Sequence, residues 1–381
     1  MSDILISAGG TGGGIYPALA VVEALREIAP TTKLHYVGSL GGMEETLVPR
    51  ALVDSYQSVY SGPVHSVGIV RLIKSLIKIT LGFLQSLLLL LRLRPSALFM
   101  TGGFATLPVA AACWLLRVPI VIFLPDIEPA LTIRVISRLA KLILTATGDS
   151  AQYFRDARKV KEIGYPLRQD LLEATRNEGI RHFGLDRDRP TLLITGGSRG
   201  SRSINEAVGA ILPELLDDGL QVIHVSGDLD AETVENRREE LPADLKRRYH
   251  LFSYLYEDMG AAQAAADLVV SRAGASILGE YPYFGLPAIL APLTFAWRYQ
   301  RTNAEWLTSR GAALVLTDEQ MKTELLPIIR ELLNDEARLN RMRAASFALR
   351  KPDAARQIAA EVLKLAGIIN SSAKLPENAG S

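Results

Sequence analysis

Residues 7–25 read SAGGTGGGIYPALAVVEAL, five glycines within six positions in front of an apolar run that suits a helix. Glycine turns the chain with φ > 0 and lets backbone N–H groups approach a ligand, at about 0.5–1 kcal/mol each against alanine in regular structure. The apolar Ile4–Ile6 ahead of the loop reads as a strand, so the order is strand, glycine loop, helix. The same order returns at residues 192–208, LLITGGSRGSRSINEAV. In each case loop N–H groups and a helix N-terminus converge on one spot, where an anion gains about 0.3–1 kcal/mol or more. Phosphate is the natural ligand of such a loop. Neither loop is followed by Lys-Ser or Lys-Thr, and neither carries the Gly-x-Gly-x-x-Gly spacing with an acidic residue about 20 positions on, so kinase-type and nicotinamide-dependent chemistries lose ground.

Short apolar runs alternate with helical patterns around both loops. Ile4–Ile6, Leu34–Val37, Ala97–Met100, Ile120–Leu124 and Leu142–Thr145 form a first set, and Thr191–Thr195, Gln221–Val225, His250–Tyr254, Leu268–Ser271, Ala288–Ala291 and Ala313–Leu316 a second. Strands without polar alternation belong to parallel sheets covered on both faces, which predicts α/β architecture with two Rossmann-like domains. The expected division is residues 1–165, residues 166–350, a C-terminal helix at 351–368 and a disordered polar tail at 369–381, with the linker near 164–170. Two such units, each with a glycine loop, suit a sugar-nucleotide cleft.

A chain of 381 residues exceeds what one core usually fills. Its 42 Lys and Arg nearly cancel its 41 Asp and Glu, which argues against nucleic acid as a partner. The single cysteine, Cys113, lies in an apolar run and reads as a buried inert thiol, in keeping with a reducing cytoplasm. No basic segment precedes the first apolar run, so the start does not read as a signal peptide. His35, His65, His182, His224 and His250 lack metal-ligand spacing, and Asp186-Arg-Asp188 and Asp228-Leu-Asp230 read as turn chemistry; no catalytic metal and no cofactor are expected.

Residues 71–94, RLIKSLIKITLGFLQSLLLLLRLR, are the most hydrophobic stretch. Arg71, Lys74, Lys78 and Gln85 fall at helical spacing on one face, with Phe83, leucines and isoleucines filling the rest. The uncharged part, Ile79–Leu91, is short of the roughly 20 residues that span a bilayer, so a basic amphipathic helix lying in the membrane interface is the expectation, with Arg71, Lys74, Lys78 and Phe83 at the membrane surface.

Eight collinear stretches then resemble one family: GGTGGGIYPALA, MEETLVP, TGGFATLPVAAACWLLRVPIVI, GYPLR, GGSRGSRSINEAV, YEDMGAAQAAADLVVSRAGASILGE, FGLPAILAPL and YQRTNAEWL. With PDAA at Pro352, they are similar to the MurG family of lipid-linked N-acetylglucosaminyltransferases across about residues 4–360. The resemblance implies a GT-B fold, two Rossmann-like domains facing across a cleft. It also implies inverting transfer of N-acetylglucosamine from the UDP-sugar to the 4-hydroxyl of muramyl-pentapeptide on undecaprenyl diphosphate (lipid I). The product would be lipid II, made for peptidoglycan at the cytoplasmic face of the cell membrane by a peripheral enzyme. Carried over by position, donor contacts fall on Thr11, Gly12 and Gly13, on Arg168 and on Ser198. The turn Ala275, Ser276, Ile277, Leu278 and Gly279 would offer N–H groups, Glu280 would accept the ribose hydroxyls, Gln300 would read the sugar, and Tyr256 would stack on uracil.

Two departures lie on the acceptor side. The family's loop histidine is Gly14 here, and its His-Glu-Gln-Asn segment is Phe123-Leu124-Pro125-Asp126. A carboxylate therefore stands where the usual polar groups are missing, and Asp126, or Glu128 two residues on, is the candidate general base, a role typically contributing about 10²–10⁴-fold. The competing role for both is capping a helix that begins near Ala130. The same departures keep open a MurG-like transferase with another lipid-linked acceptor, or a non-catalytic UDP-sugar-binding paralogue.

Overall fold

The apolar runs of the first half become strands β1 (Asp3–Ala8), β2 (Lys33–Ser39), β3 (Ser55–Val59), β4 (Ala97–Gly102), β5 (Ile120–Leu124), β6 (Leu142–Thr145) and β7 (Val160–Glu162). They form one sheet in the order β3-β2-β1-β4-β5-β6-β7, with every pairing parallel. The second half gives β8 (Thr191–Thr195), β9 (Gln221–Val225), β10 (Tyr249–Phe252), β11 (Leu268–Ser271), β12 (Ala288–Leu290) and β13 (Ala313–Val315), in the order β10-β9-β8-β11-β12-β13. This sheet is parallel throughout as well. The computed structural model describes residues 3–48, 52–63, 68–197, 200–293 and 298–370. The expected tail and His65 lie outside these residues, apart from the last two positions before residue 371.

The chain divides into Met1–Arg168 with Pro352–Ser381, and Gln169–Lys351. The closing helix Ala354–Leu365 returns to the first unit and packs on the first helix, Gly12–Ile28. Arg356 of the closing helix pairs with Glu27, and Glu361 accepts from Lys161 Nζ at 3.0 Å.

Burial explains which strands could be read in advance. The inner strands β1, β4, β5, β8 and β9 are buried almost residue for residue, as continuous apolar runs demand. The edge strands β3 (SYQSV) and β7 (VKE) are half exposed and polar, and hydropathy alone passes over them. The edge strand β10 ends at Phe252, two residues before the apolar run suggested. Cys113 is fully buried, and burial pushes its thiol up to about 12, matching the inert role expected of it. Asp186 accepts from Asp188 N at 3.0 Å and Arg189 Nε at 3.2 Å, and Asp230 from Arg202 Nε and Asn205 Nδ2, each at 3.2 Å. These acidic residues make turn and loop contacts.

The long helix runs unbroken from Ile69 to Leu93. Among the described residues it is long and apolar enough, by length and composition, to cross a membrane. One stripe of it, Ser75, Gly82, Ser86, Leu89 and Leu90, is buried within the first unit. A Cβ at Gly82 would collide with the Tyr60 carbonyl, and Gln85 Oε1 accepts from Tyr60 N at 2.9 Å. Phe83 corrects the sequence expectation: it is partly buried against the core rather than on the open face, because it shares the inward side of the helix with Leu87. Arg71, Lys74 and Lys78 are exposed as expected.

In the second unit His224 is fully buried, and desolvation holds its imidazole down at about 3. It is therefore neutral, with Nε2–H donating to Asn205 Oδ1 at 3.0 Å and Nδ1 accepting from Tyr249 Oη at 2.7 Å. An unfolded histidine titrates near 6.5, so between pH 3 and 6.5 the unfolded chain binds the extra proton and stability falls as pH falls through that window. Urea unfolding at pH 4.5 against pH 7 is expected to show a loss of about 2–3 kcal/mol from this group. A His224→Gln variant should show a shallower slope, and equal slopes would place the pH dependence elsewhere.

Candidate functional site

Both glycine loops sit where strand order reverses, after β1 beside β4 and after β8 beside β11, the switch points at which open α/β sheets bind ligands. In the first unit Gly10 has φ +88°, and Thr11 opens the helix in an extended conformation with no side-chain cap. Gly14 and Ile15 N–H groups bond Thr11 O at 3.0 and 3.2 Å. Thr11 is exposed, Gly12 buried and Gly13 half-buried. The TGGF stretch after β4 meets this loop directly: Gly9 N donates to Gly102 O at 3.1 Å. Gly103 has φ +103°, and a Cβ there would lie 2.7 Å from Gly9 C and O. Only two bare backbones fit. Thr101 Oγ1 donates to Gly14 O at 2.6 Å and ties the first helical turn to β4.

Arg168, at the end of the first unit, brings its guanidinium 4.9 Å from the centroid of the Tyr16 ring, one turn into the helix that follows the loop. Arg168 thus lies against the helix that Thr11, Gly12 and Gly13 open. Gly14 is buried, and a Cβ would stand 3.2 Å from Gly9 O and 3.5 Å from Thr101 Oγ1.

Asp126 and Glu128 follow the carboxyl end of β5. Glu128 is 5% exposed and accepts from Arg134 Nη2 at 2.9 Å, while Asp126 is half-buried. The N-cap position of the helix Leu131–Ile136 is Ala130, which has no side chain able to cap it.

Sequence reasoning missed the group behind the first loop. Glu44, in MEETLVP, is fully buried, and its Oε1 accepts from Ser39 N at 2.6 Å. Its Oε2 has no hydrogen-bond partner among the described residues. Cβ atoms at Gly9, Gly38 or Gly42 would each come within 2.5 Å or less of the Glu44 side chain. Burial first, and then the Glu44 charge, push the Tyr36 phenol well above its usual value; its hydroxyl donates to Ala8 O at 2.9 Å. Glu44 is a wedge between the ends of β1 and β2.

In the second unit the loop after β8 turns through Gly197 and Gly200 at φ +80° and +74°. Ser198 lies outside the described residues. After β11, Ala275–Leu278 forms a 3₁₀ turn and Glu280–Phe284 a short helix. Ala275, Ile277 and Leu278 are buried, while Ser276, Gly279 and Glu280 are half-buried, so the turn offers mainly backbone and one carboxylate. Gln263, 2% exposed, donates from Nε2 to Glu280 Oε2 at 2.7 Å and fixes that carboxylate. Asn303 Nδ2 donates to Ala273 O at 3.2 Å, linking the helix Arg298–Ser309 to the turn. On that helix Gln300 Oε1 accepts from Leu293 N at 3.1 Å. Buried Arg272 donates to Asp318 Oδ1 at 2.7 Å, Ala291 O at 2.8 Å and Ser203 Oγ at 2.6 Å. It thereby joins the glycine-loop helix to β11. Tyr256 is 66% exposed with its ring 4.5 Å from Tyr254, an open aromatic face. Gln263, Arg272 and Asn303 all lie inside quoted stretches, but only the fold shows what they hold. Among the described residues there is no cluster of three or more His, Cys, Asp or Glu side chains able to hold a metal ion.

The Glu44 wedge is testable by a double-mutant cycle. Gly9→Ala puts a Cβ 2.5–2.8 Å from the carboxylate and is expected to cost about 1–3 kcal/mol in urea unfolding, as overpacking does. In a Glu44→Ala background the same change should cost distinctly less. Additive costs would show that the contact does not couple.

Residues 4–145 match the glycosyltransferase family 28 N-terminal domain and residues 191–358 its C-terminal domain. The UDP-N-acetylglucosamine–N-acetylmuramyl-(pentapeptide) pyrophosphoryl-undecaprenol N-acetylglucosamine transferase of Roseiflexus sp. (strain RS-1) is 39% identical over 92% of each chain. The protein of the same name from Halothermothrix orenii is 35% identical over 92% of this chain and 95% of its own. The crystal structure of Acinetobacter baumannii MurG superposes with a TM-score of 0.73 at 24% identity, covering 96% of this chain and all of that one. A Neisseria meningitidis UDP-GlcNAc 2-epimerase bound to UDP-GlcNAc gives 0.69 at 14% identity over 95% of this chain and all of that one, a likeness of fold alone. The two parallel-sheet units are those of the GT-B fold, and the chain belongs to the MurG family of glycosyltransferase family 28.

Proposed function

We infer that this protein transfers N-acetylglucosamine from UDP-N-acetylglucosamine to lipid I, with inversion, giving lipid II for peptidoglycan. The observation that carries the reading is the 39% identity to a transferase of that name over 92% of both chains. In the reaction the muramyl 4-hydroxyl attacks the anomeric carbon, its proton leaves to a base, and the bond to the UDP oxygen breaks. Charge develops on the departing diphosphate, and preorganised N–H groups and a cation aimed at it lower the barrier. Thr11, Gly12, Gly13 and Arg168 supply them from the first unit, with Ser198 and the N–H groups of the turn Ala275, Ser276, Ile277, Leu278 and Gly279 from the second. Glu280, held by Gln263, accepts the ribose hydroxyls; Gln300 reads the sugar, and Tyr256 covers the uracil. No metal takes part in this scheme.

Asp126 is the base in this reading. Asp126 is half-buried just past the carboxyl end of β5, in place of a neutral asparagine of the family, and Glu128 pairs with Arg134. Glu128 supports the segment. Release of UDP from UDP-N-acetylglucosamine, with and without a short-chain lipid I analogue, tests the reaction. Acceptor-dependent release is expected, falling about 10²–10⁴-fold in Asp126→Asn. Near-normal turnover in that variant and in Glu128→Gln would remove both carboxylates from the chemistry. Silence with lipid I, while UDP still binds, would favour another lipid-linked acceptor or a binding protein.

The enzyme works as a peripheral protein on the cytoplasmic face of the cell membrane. The open face of the long helix carries Val70, Ile73, Ile77, Leu81, Leu84, Leu88 and Leu91, all 46–68% exposed. That spacing is one helical stripe, and Arg71, Lys74 and Lys78 flank it as phosphate-facing cations. Each basic residue near an anionic surface contributes about 1 kcal/mol. Changing all three to glutamine should weaken sedimentation with anionic vesicles about a hundredfold, leaving UDP release with a soluble acceptor intact. Unchanged sedimentation would sink the helix as the docking element.

A further inference from the structure

The second unit has a concave cavity of about 540 Å³ that the transfer scheme does not use. Its wall includes Asp267, just ahead of β11, and Gly285, ahead of β12, so it opens at the amino end of the sheet. The donor turn follows the carboxyl end of β11, roughly 16 Å along the strand at about 3.3 Å per residue.

Three guanidinium groups reach this cavity. Arg176 donates to Ala265 O at 2.8 Å and to Asp267 Oδ1 at 3.0 Å. Arg343 donates to Asp267 Oδ1 at 3.4 Å and to Asn340 Oδ1 at 2.9 Å. Arg350 lies over the rings of Tyr283 at 4.4 Å and Phe347 at 5.2 Å, and its buried Nε has no hydrogen-bond partner among the described residues. Asp267 is the single carboxylate on the wall, and its Oδ2 is already taken by Thr191 N at 2.9 Å. Three cations against one anion leave two positive charges uncompensated. Rings and carboxylate hold the planar forks in place, so a tetrahedral oxyanion entering here meets donors that need little further ordering.

We propose that this cavity is a second anion site, built for a small molecule bearing a phosphate monoester or diphosphate, separate from the sugar-nucleotide site. Its wall shares a helix with Glu280: the helix Glu280–Phe284 begins at that residue and ends at Tyr283 and Phe284 in the cavity. Both segments by which the chain enters and leaves this unit also border it, at Ala174 and Arg350.

The test uses the full chain saturated with UDP, so that the donor site is filled. Inorganic diphosphate titrated by calorimetry should bind once more, and Arg343→Gln or Arg350→Gln should weaken it about tenfold, the loss of one charge-assisted contact. UDP affinity should stay at the wild-type value in both variants. On the unaltered chain, diphosphate should shield Arg343 and Arg350 from phenylglyoxal with UDP present. A parallel arm replaces diphosphate by phosphatidylglycerol vesicles. Shielding by diphosphate assigns the site to a soluble phosphate, and shielding by vesicles alone assigns it to a lipid headgroup. Undiminished labelling in both arms, or diphosphate affinity in both variants equal to that of the unaltered chain, overturns the proposal.

Discussion

Gly9 and Gly103 touch backbone to backbone, and the first unit is arranged around that contact. A side chain at Gly103 would have to stand 2.7 Å from the Gly9 carbonyl, so the ends of β1 and β4 approach as closely as two chains can. The approach aims the N-terminus of the helix Gly12–Ile28 at the switch point of the sheet; Thr101 ties its first turn to β4, and the Glu44 side chain fills the space beside Gly9. The energetic cost of so many glycines is the condition for placing backbone donors where no side chain could be admitted.

The second unit solves the same problem with side chains. Its loop after β8 also turns through positive-φ glycines, but the turn after β11 is fixed by polar groups buried beneath it. Gln263 holds Glu280, Asn303 holds Ala273, and Arg272 spans Ser203, Ala291 and Asp318. Buried donors of this kind are costly to leave unmatched, so each bond also selects one arrangement of the turn. The half-buried carboxylate of Glu280 is held in one orientation by that support.

The long helix carries apolar side chains on its inward face and on its open face. Ser75, Gly82, Ser86, Leu89 and Leu90 face the protein, and a stripe of aliphatic side chains from Val70 to Leu91 is left outside. Small inward residues let the helix approach Tyr60 and the neighbouring helix Thr106–Leu115 closely. The larger apolar side chains are then turned outward, an arrangement a purely aqueous surface would disfavour.

Much of this was legible in the order of residues. Continuous apolar runs marked the inner parallel strands, glycine clusters marked the turns after β1 and β8, and collinear stretches marked the family, because each is a local pattern with a local physical cause. The edge strands β3 and β7 escaped, since half-exposed strands carry little hydropathic signal. Phe83 was assigned outward because helical spacing gives the faces of a helix but not which face meets the core. Glu44, Gln263 and the three arginines around Asp267 were visible as letters only; their roles come from partners far along the chain. The sequence by itself determined the strand, loop and helix order and the chemistry each loop can offer. The tertiary structure alone decided which buried polar groups meet, because such contacts depend on packing between segments that no local periodicity encodes.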